Sequence, residues 1–148
     1  MKFTSIIAIA LVVVFASCTK DATVTSKVDL LTGGSSKSWK LSSVTATVSG
    51  KTVDITSALL ADACDKDDFV TFKTGGIFIE DEGPLKCSST DPQSATGKFV
   101  IDAKETTVTT TVGSDVEVIT FVELSSSKFV GSSTNPLFGV LTATFVPK

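Results

Sequence analysis

The side chains best able to do chemistry in this sequence are carboxylates, which are concentrated in two short stretches. One stretch holds Asp65, Asp67 and Asp68, and the other holds Glu80 and Asp81. If the strands around position 75 pair as a hairpin, the two stretches meet at one end of the protein. Carboxylate oxygens are ligands that Ca²⁺ takes, so these five residues are weak candidates for a metal site. Their spacing is not that of an EF-hand and lysines lie among them, which favours a solvated acidic rim that holds no metal.

Other catalytic groups are scarce. The chain has no His and no Tyr, and all 13 of its basic residues are Lys. A His-based triad and a His metal ligand are therefore excluded, and acid–base sugar hydrolysis by the carboxylates is a weaker interpretation than the solvated rim. The glycine pairs at 33–34 and 75–76 lack the strand–glycine–Lys–helix order of a phosphate loop. The sequence predicts a protein that is not an enzyme and has no cofactor, with enzyme or Ca²⁺-binding activity kept as minor alternatives.

The first residues have the pattern of an export signal. A short positive start precedes an apolar run from Ile6 to Phe15, which is too short to span a bilayer. Phe15-Ala16-Ser17-Cys18 resembles the lipobox of bacterial lipoproteins, which implies cleavage after residue 17 and lipid on Cys18. The alternative is ordinary secretion with a free Cys18. Residues 18–29 would then form a lipidated tether, in which Lys20-Asp21 resembles a surface-export signal and could equally be plain solvated linker.

The remaining two cysteines are expected to form a disulfide. Cys64 and Cys87 would lie in an oxidising compartment after export, where paired cysteines are usually bonded. The bond would close a loop of about 24 residues and contribute roughly 3–3.5 kcal/mol. A thiol nucleophile is the alternative, but no His is present to activate it.

The elements that position these residues are mostly short β-strands. Residues 38–48 contain the only Trp, Trp39, which we expect to be buried and to close one end of a barrel. Seven further strand-like segments follow, and their connectors are mostly two-residue turns typical of hairpins. They are Phe69–Lys73, Gly76–Asp81, Thr96–Asp102, Glu105–Val112, Val116–Leu124, Lys128–Ser132 and Phe138–Val146. The pattern predicts an all-β fold, an eight-stranded antiparallel up-and-down barrel in residues 30–148, with one or two short helical segments at its ends.

The face of each strand follows from its alternation. With Gly75 and Gly76 as the two loop residues, Phe72 would lie opposite Ile79, and Cys64 opposite Cys87 at the open end of the hairpin. One face of the segment 116–124 is marked by Val116, Val118, Val122 and Leu124. The residues expected to line an interior cavity are Val70, Phe72, Ile77, Ile79, Phe99 and Ile101.

Several short motifs, in this order, resemble the lipocalin-like domains of Gram-negative bacterial lipoproteins. They include Trp39-Lys40-Leu41, Cys64 with Lys66-Asp67-Asp68, Gly75-Gly76, Cys87, Gly97-Lys98-Phe99 and Thr142-Ala143-Thr144-Phe145. The resemblance implies an eight-stranded barrel and a lipid-anchored product, and it implies ligand binding by analogy with true lipocalins. True lipocalins have a Gly two residues before the Trp and an Arg that covers it. Here Lys37 takes the place of that Gly, and the chain has no Arg.

These patterns together predict an outer-membrane lipoprotein of a Gram-negative cell envelope, periplasmic or surface-exposed. We expect a monomeric binding module that holds a small apolar ligand at the barrel mouth, with the 82–95 loop as a lid. The acidic mouth favours a neutral or cationic ligand. A packed barrel that acts as a surface interaction protein is the alternative. The net charge of −3 argues against a nucleic acid partner.

Overall fold

The computed structural model describes residues 25–148, which contain nine strands and two short helices. The expected signal peptide at 1–17, the lipid site Cys18 and most of the tether lie outside the described residues. The helices are α1 (Lys27–Thr32) and α2 (Thr56–Leu59). The strands are β1 (Ser36–Val48), β2 (Lys51–Asp54), β3 (Phe69–Lys73), β4 (Ile77–Asp81), β5 (Ser94–Ile101), β6 (Thr107–Val112), β7 (Asp115–Leu124), β8 (Phe129–Asn135) and β9 (Gly139–Pro147). Between residues 25 and 148, neither helix has the length and apolarity needed to cross a membrane.

The strands form the predicted closed antiparallel barrel. From β3 to β9 each strand pairs with the next along the chain, and β1 pairs with both β3 and β9. The β1–β9 ladder runs from Trp39↔Pro147 to Thr47↔Val140 and joins the two ends of the sheet. Closure leaves the eight barrel strands without a free edge along most of their length. The fold class expected from the sequence is confirmed.

Strand β2 was not predicted. It forms a hairpin with the far end of β1, from Val48↔Lys51 to Thr45↔Asp54, and its four residues are all exposed. A strand with no buried face gives no alternation to detect, and its left-handed turn residues, Ser49 and Gly50, had the pattern of a simple break.

One end of the barrel is closed by α1, and we call it the closed end. The Ser26 side chain accepts a hydrogen bond from the Asp29 amide, and α1 ends at Gly33 in the left-handed conformation (φ 61°). Leu31 on this helix is fully buried, and the Trp39 Nε1 donates to the Leu31 carbonyl at 2.9 Å. Trp39 itself is 0% exposed. The Trp39 indole is therefore buried, as expected from the sequence, and lies under the helix that covers this end.

The half of the barrel next to α1 is filled by aromatic side chains. Phe72 lies 5.0 Å from Phe78 and 5.1 Å from Phe99 between ring centroids, and Phe129 lies 5.2 Å from Phe145. The buried cluster consists of Leu31, Trp39, Phe72, Phe78, Phe99, Val108 and Phe129. No space for a ligand is left in a core packed in this way.

The predicted register of the β3–β4 hairpin was wrong by one residue. Lys73 pairs with Ile77 and Phe72 with Phe78, so the loop has three residues, Thr74 to Gly76, and not two. Ile77, Phe78 and Ile79 are three apolar residues in a row, which is why alternation did not determine the register. Phe78 points inward, whereas Ile77 and Ile79 lie on the outer face.

Candidate ligand-binding site

The other end of the barrel, the open end, carries the irregular segments of the chain. They are the β1–β2 hairpin, α2, the disulfide-linked stretches 60–68 and 82–93, and the turns at 113–114 and 136–138. The predicted disulfide is present between Cys64 and Cys87, whose Cα atoms are 5.2 Å apart. It joins the chain before β3 to the chain after β4, on one side of this opening.

Helix α2 is attached to β1 where that strand changes neighbours. β1 pairs with β3 up to Lys40 and with β2 from Thr45. In the gap, the Thr56 Oγ1 accepts a hydrogen bond from the Val44 amide at 2.8 Å, and the Ile55 amide donates to the Val44 carbonyl at 3.0 Å. These two bonds satisfy the backbone amide and carbonyl of Val44, and they hold the start of α2 against the rim of the barrel.

A row of small residues crosses three neighbouring strands just above the aromatic core. Val44 on β1 pairs with Ala143 on β9, and Ala143 pairs with Gly131 on β8. One level nearer the closed end, the corresponding row is Leu41, Phe145 and Phe129. The side chains therefore shrink abruptly from one level to the next, and space opens inside the barrel.

This space is an apolar recess of about 170 Å³, which we call the upper recess. It is lined by Leu41, Val44, Leu59, Glu117, Ile119, Gly131, Ser133, Leu141, Ala143 and Phe145. Leu59 comes from α2, so that helix borders the recess at the open end. For comparison, a dry cavity of about 150 Å³ lined by apolar side chains can hold benzene.

Gly131 is needed at the floor of the upper recess. A Cβ atom there would lie 2.4 Å from Ile119 Cγ2 and 3.3 Å from the Phe129 ring. Both side chains pack against the bare backbone at this position. Because Gly131 has no side chain, Ile119 and Phe129 can pack against its backbone, which separates the core from the recess.

Two exposed carboxylates at the open end, Glu80 and Glu117, lie on the inward faces of their strands and are called the acid pair here. On β7, Glu117 alternates with Ile119 and Phe121, which are partly buried against the core. Glu80 on β4 is two residues from the buried Phe78. Both carboxylates line a second recess of about 140 Å³, and Glu117 also lines the upper recess. The upper recess therefore has a negatively charged edge.

The environment raises the pKa of Glu80. Loss of surrounding water is the largest cause, and repulsion from Glu117 and then Asp115 adds to it. The pKa of Asp68 at the same end is also raised, by burial first and then by Glu82 and other neighbouring carboxylates. Across residues 25–148, the one ion pair within 4 Å joins Lys128 to Glu123. This ion pair lies on the outer surface and does not involve the acid pair. The negative charge at the open end is thus not neutralised by a close lysine in this part of the chain.

The upper recess can hold a small apolar group, and its one charged edge can attract a positive charge. No family model and no curated protein matches this sequence. A residue that sequence reasoning missed is Glu117. The alternation of side chains along β7 could have revealed it, because Glu117 must face inward if the valines at 116, 118 and 122 face outward. The structure gives these valines 62%, 54% and 61% exposure.

Three of the five weak metal candidates hold loops. The Asp65 carboxylate accepts from the Asp62 amide, Asp67 from the Leu85 amide at 2.8 Å, and Asp81 from the Gly83 amide at 2.9 Å. Asp68 and Glu80 line a separate acidic pocket of about 480 Å³ with residues of the 82–95 loop. In residues 25–148, the one group of three metal-ligating side chains within 4.8 Å is Cys64, Asp65 and Cys87, and its sulfurs are bonded to each other.

The six residues expected to line a cavity lie away from the upper recess. Phe72 and Phe99 belong to the packed core, and Val70 and Ile101 pack against it. Ile77 is 41% exposed on the outer face, which it shares with Ile79 because of the corrected register. None of the six predicted residues lines the upper recess. The 82–95 loop borders the acidic pocket, and the mouth residue over the upper recess is Leu59.

The raised pKa of Glu80 predicts a stabilising substitution. Because folded Glu80 binds its proton more strongly than the unfolded chain does, its charge destabilises the fold at neutral pH, and protonation relieves this below the ordinary pKa of 4.5. Glu80→Gln should therefore raise the melting temperature at pH 7, and the gain should vanish near pH 3.5. Thermal unfolding followed by circular dichroism at several pH values measures this. A gain that persists unchanged at acid pH would contradict the electrostatic cause.

Asp102 at the closed end supplies a control of opposite sign. Its carboxylate accepts hydrogen bonds from the Thr107 and Thr106 amides at 2.5 and 2.6 Å, and chiefly the Thr107 bond lowers its pKa to about 2. The stabilisation is present above its ordinary pKa of 3.8 and is lost as the pH falls toward the folded value. Asp102→Ala should accordingly lower the melting temperature at pH 7 and lose its effect toward pH 2.

Proposed function

We propose that this protein is a lipid-anchored, non-enzymatic binding module that holds a small apolar ligand, neutral or cationic, in the barrel. The observation that carries the proposal is the upper recess, an apolar space of about 170 Å³ above the packed aromatic half of the barrel. Small-molecule sites are typically concave and apolar with few polar groups, and Glu117 and Ser133 are the polar groups here. The barrel fold alone would not justify this proposal, since one fold serves many functions.

The packed half of the barrel limits the ligand. Trp39, Phe72 and Phe129 are at most 1% exposed, so nothing can enter beyond the level of Gly131. A ligand with one ring or a short branched chain fits the space above them. Long acyl chains do not fit, and the carboxylates at the open end repel anionic head groups.

The anchor belongs to the proposal because of the lipobox-like sequence before Cys18. Helix α1 begins at Lys27 on the closed end, so a tether of nine residues, which reaches at most about 30 Å, would enter there. The open end would then face away from the membrane and toward the ligand. Mass spectrometry of membrane-extracted protein tests the anchor, and a free Cys18 thiol in a soluble product would contradict it.

A second candidate is a surface interaction protein, and the outer face of the barrel favours it. Val100, Val116, Val118 and Val122 are between 54% and 67% exposed on β5 and β7. Exposed apolar patches on a barrel mark contact surfaces for other proteins more often than isolated apolar residues do. In that case the upper recess would remain without a ligand.

Ligand binding can be measured with 4-fluorobenzyl alcohol, a neutral probe with one aromatic ring. We expect saturable broadening of its ¹⁹F NMR signal by the wild-type protein, because the ring fills the upper recess. Ala143→Leu should abolish the effect, since the larger side chain occupies the same space. Thr144→Val, on the outward face of the same strand, is the matched control and should bind as the wild type does.

Equal broadening by wild type and Ala143→Leu would place the probe elsewhere and refute the site. Melting temperatures of both variants check that they fold. If Ala143→Leu does not fold, Val44→Ile fills the recess by one methylene group and should still weaken binding.

A further inference from the structure

The upper recess and the acid pair form one continuous surface. Glu117 lines both the upper recess and the smaller recess that contains Glu80. No lysine lines either recess. The interior at this level therefore changes from aliphatic side chains on β1 and β9 to carboxylates on β7 and β4, with no positive charge between.

Both carboxylates point to the same interior. Glu117 pairs across the sheet with Thr110, which is buried, and Glu80 pairs with Ala95. Repulsion from Glu117 contributes, after burial, to the raised pKa of Glu80. Two like charges near each other attract a cation placed between or beside them, although both side chains are exposed, so the attraction is modest.

The surroundings distinguish an organic cation from a metal ion. Ca²⁺ takes six to eight oxygen ligands, as a rule. Glu80, Asp115 and Glu117 all line the second recess, but in residues 25–148 no three carboxylates bring their ligand atoms within 4.8 Å of one another. The recess wall next to Glu117 is formed by the apolar side chains of Leu141, Ile119 and Phe145, which favour contact with an apolar group over contact with water. A molecule with an apolar body and one positive end matches both parts of the wall.

We propose that the upper recess binds a small primary ammonium compound, with its apolar body against Leu141, Ala143 and Phe145 and its ammonium group at Glu117. The proposal rests on the proposed function and names its ligand class. The volume of about 170 Å³ restricts the body to about the size of a benzene ring or a branched five-carbon chain. Glu80 contributes attraction at longer range and does not touch the ligand.

The test compares three molecules of nearly the same shape by isothermal titration calorimetry. They are 4-fluorobenzylamine, 4-fluorobenzyl alcohol and 4-fluorobenzoate, each titrated into the purified protein at pH 7 and low ionic strength. A partly exposed carboxylate gives about five-fold tighter binding of a cation, so with a second one nearby we expect a preference of about ten-fold for the amine over the alcohol. The benzoate should bind more weakly than the alcohol.

Glu117→Gln keeps the side-chain shape and removes its charge. In this variant the amine should lose most of its preference, while the affinity for the alcohol stays within about two-fold. Glu123→Gln is the matched control, because it removes the same charge from the outer surface of β7, and it should leave all three affinities unchanged. Melting temperatures of both variants establish that they are folded.

The outcomes separate this inference from the proposed function. If the amine and the alcohol bind equally, or if Glu117→Gln leaves the preference intact, the ammonium site is refuted and the apolar site remains. Ca²⁺ binding that depends on Glu117, with no preference for the amine, would also refute it in favour of a metal. If none of the three molecules shows saturable binding at millimolar concentration, both proposals fail.

Discussion

Replacing Trp39 with Ala is expected to lower the free energy of unfolding by about 3–5 kcal/mol, the largest loss from any single substitution considered. The indole is 0% exposed, lies edge-on to Phe129 at 6.1 Å and donates a hydrogen bond to the Leu31 carbonyl. Its removal leaves a cavity beneath α1 and an unpaired carbonyl. Urea unfolding followed by far-ultraviolet circular dichroism measures the change.

Two variants separate the causes of this loss. Trp39→Phe keeps most of the apolar volume but loses the hydrogen bond, so it should cost less than the alanine variant. Leu137→Ala removes an apolar side chain that is 84% exposed and should change stability by less than about 0.5 kcal/mol. A loss below about 1 kcal/mol for Trp39→Ala would mean that α1 does not depend on the indole.

The wild-type fluorescence gives an independent check on the same burial. Trp39 is the only tryptophan, so the emission spectrum reports one site.

The Lys37 amine lies 4.0 Å from the centre of the Trp39 ring and also donates to the Ser126 carbonyl. Burial lowers the pKa of this amine. A cation therefore covers the Trp although the chain has no Arg.

Removing the disulfide is expected to cost the second-largest amount, about 2–4 kcal/mol for the double variant Cys64→Ala, Cys87→Ala. The bond spans 23 residues and joins two irregular segments, which are also linked by the hydrogen bond from the Leu85 amide to Asp67. Its loss should lower stability mainly by freeing these segments in the unfolded chain. Wild-type protein unfolded in a reducing agent should match the double variant. If reduction leaves the urea midpoint unchanged, the bond has no stabilising role.

The barrel was predictable from the sequence because turn residues and alternating apolar positions repeat at short intervals. Trp39 near a strand start was enough to predict a closed end. The disulfide was predicted because two cysteines remain in a chain expected to be exported. The hairpin register that supported it was off by one residue, but Cys64 and Cys87 flank the hairpin at nearly equal distances. A register error of one residue does not affect the prediction of a bond between loop residues. The same error assigns every residue of a strand to the wrong face of the sheet.

The upper recess could not be predicted because it depends on contacts between distant strands. The row of Val44, Ala143 and Gly131 exists only in the register of β1 with β9 and β9 with β8. A bulge between Leu41 and Ser43 shifts the β1 register, so that Leu41 and Val44 face the same side despite their odd spacing. No local pattern reveals a bulge of this kind.

The outward face of β7 explains why Glu117 was missed. Valines at 116, 118 and 122 have the appearance of a core face, yet they are exposed, and the inward residues include a carboxylate. Alternation determines which residues share a face, but it does not determine which face is buried. Glu80 was noted as a carboxylate in an acidic rim, although its inward position followed only from the corrected register.

The central claim is that a small apolar molecule binds in the upper recess. Methyl-detected ¹H–¹³C NMR during titration with 4-fluorobenzyl alcohol tests it most directly. We predict saturable shifts of the Val44, Leu141 and Ala143 methyl signals with one common dissociation constant, while Leu31 and Val108 in the packed core stay unchanged. Shifts confined to the exposed valines of β5 and β7, or no saturable shift at all, would contradict the claim.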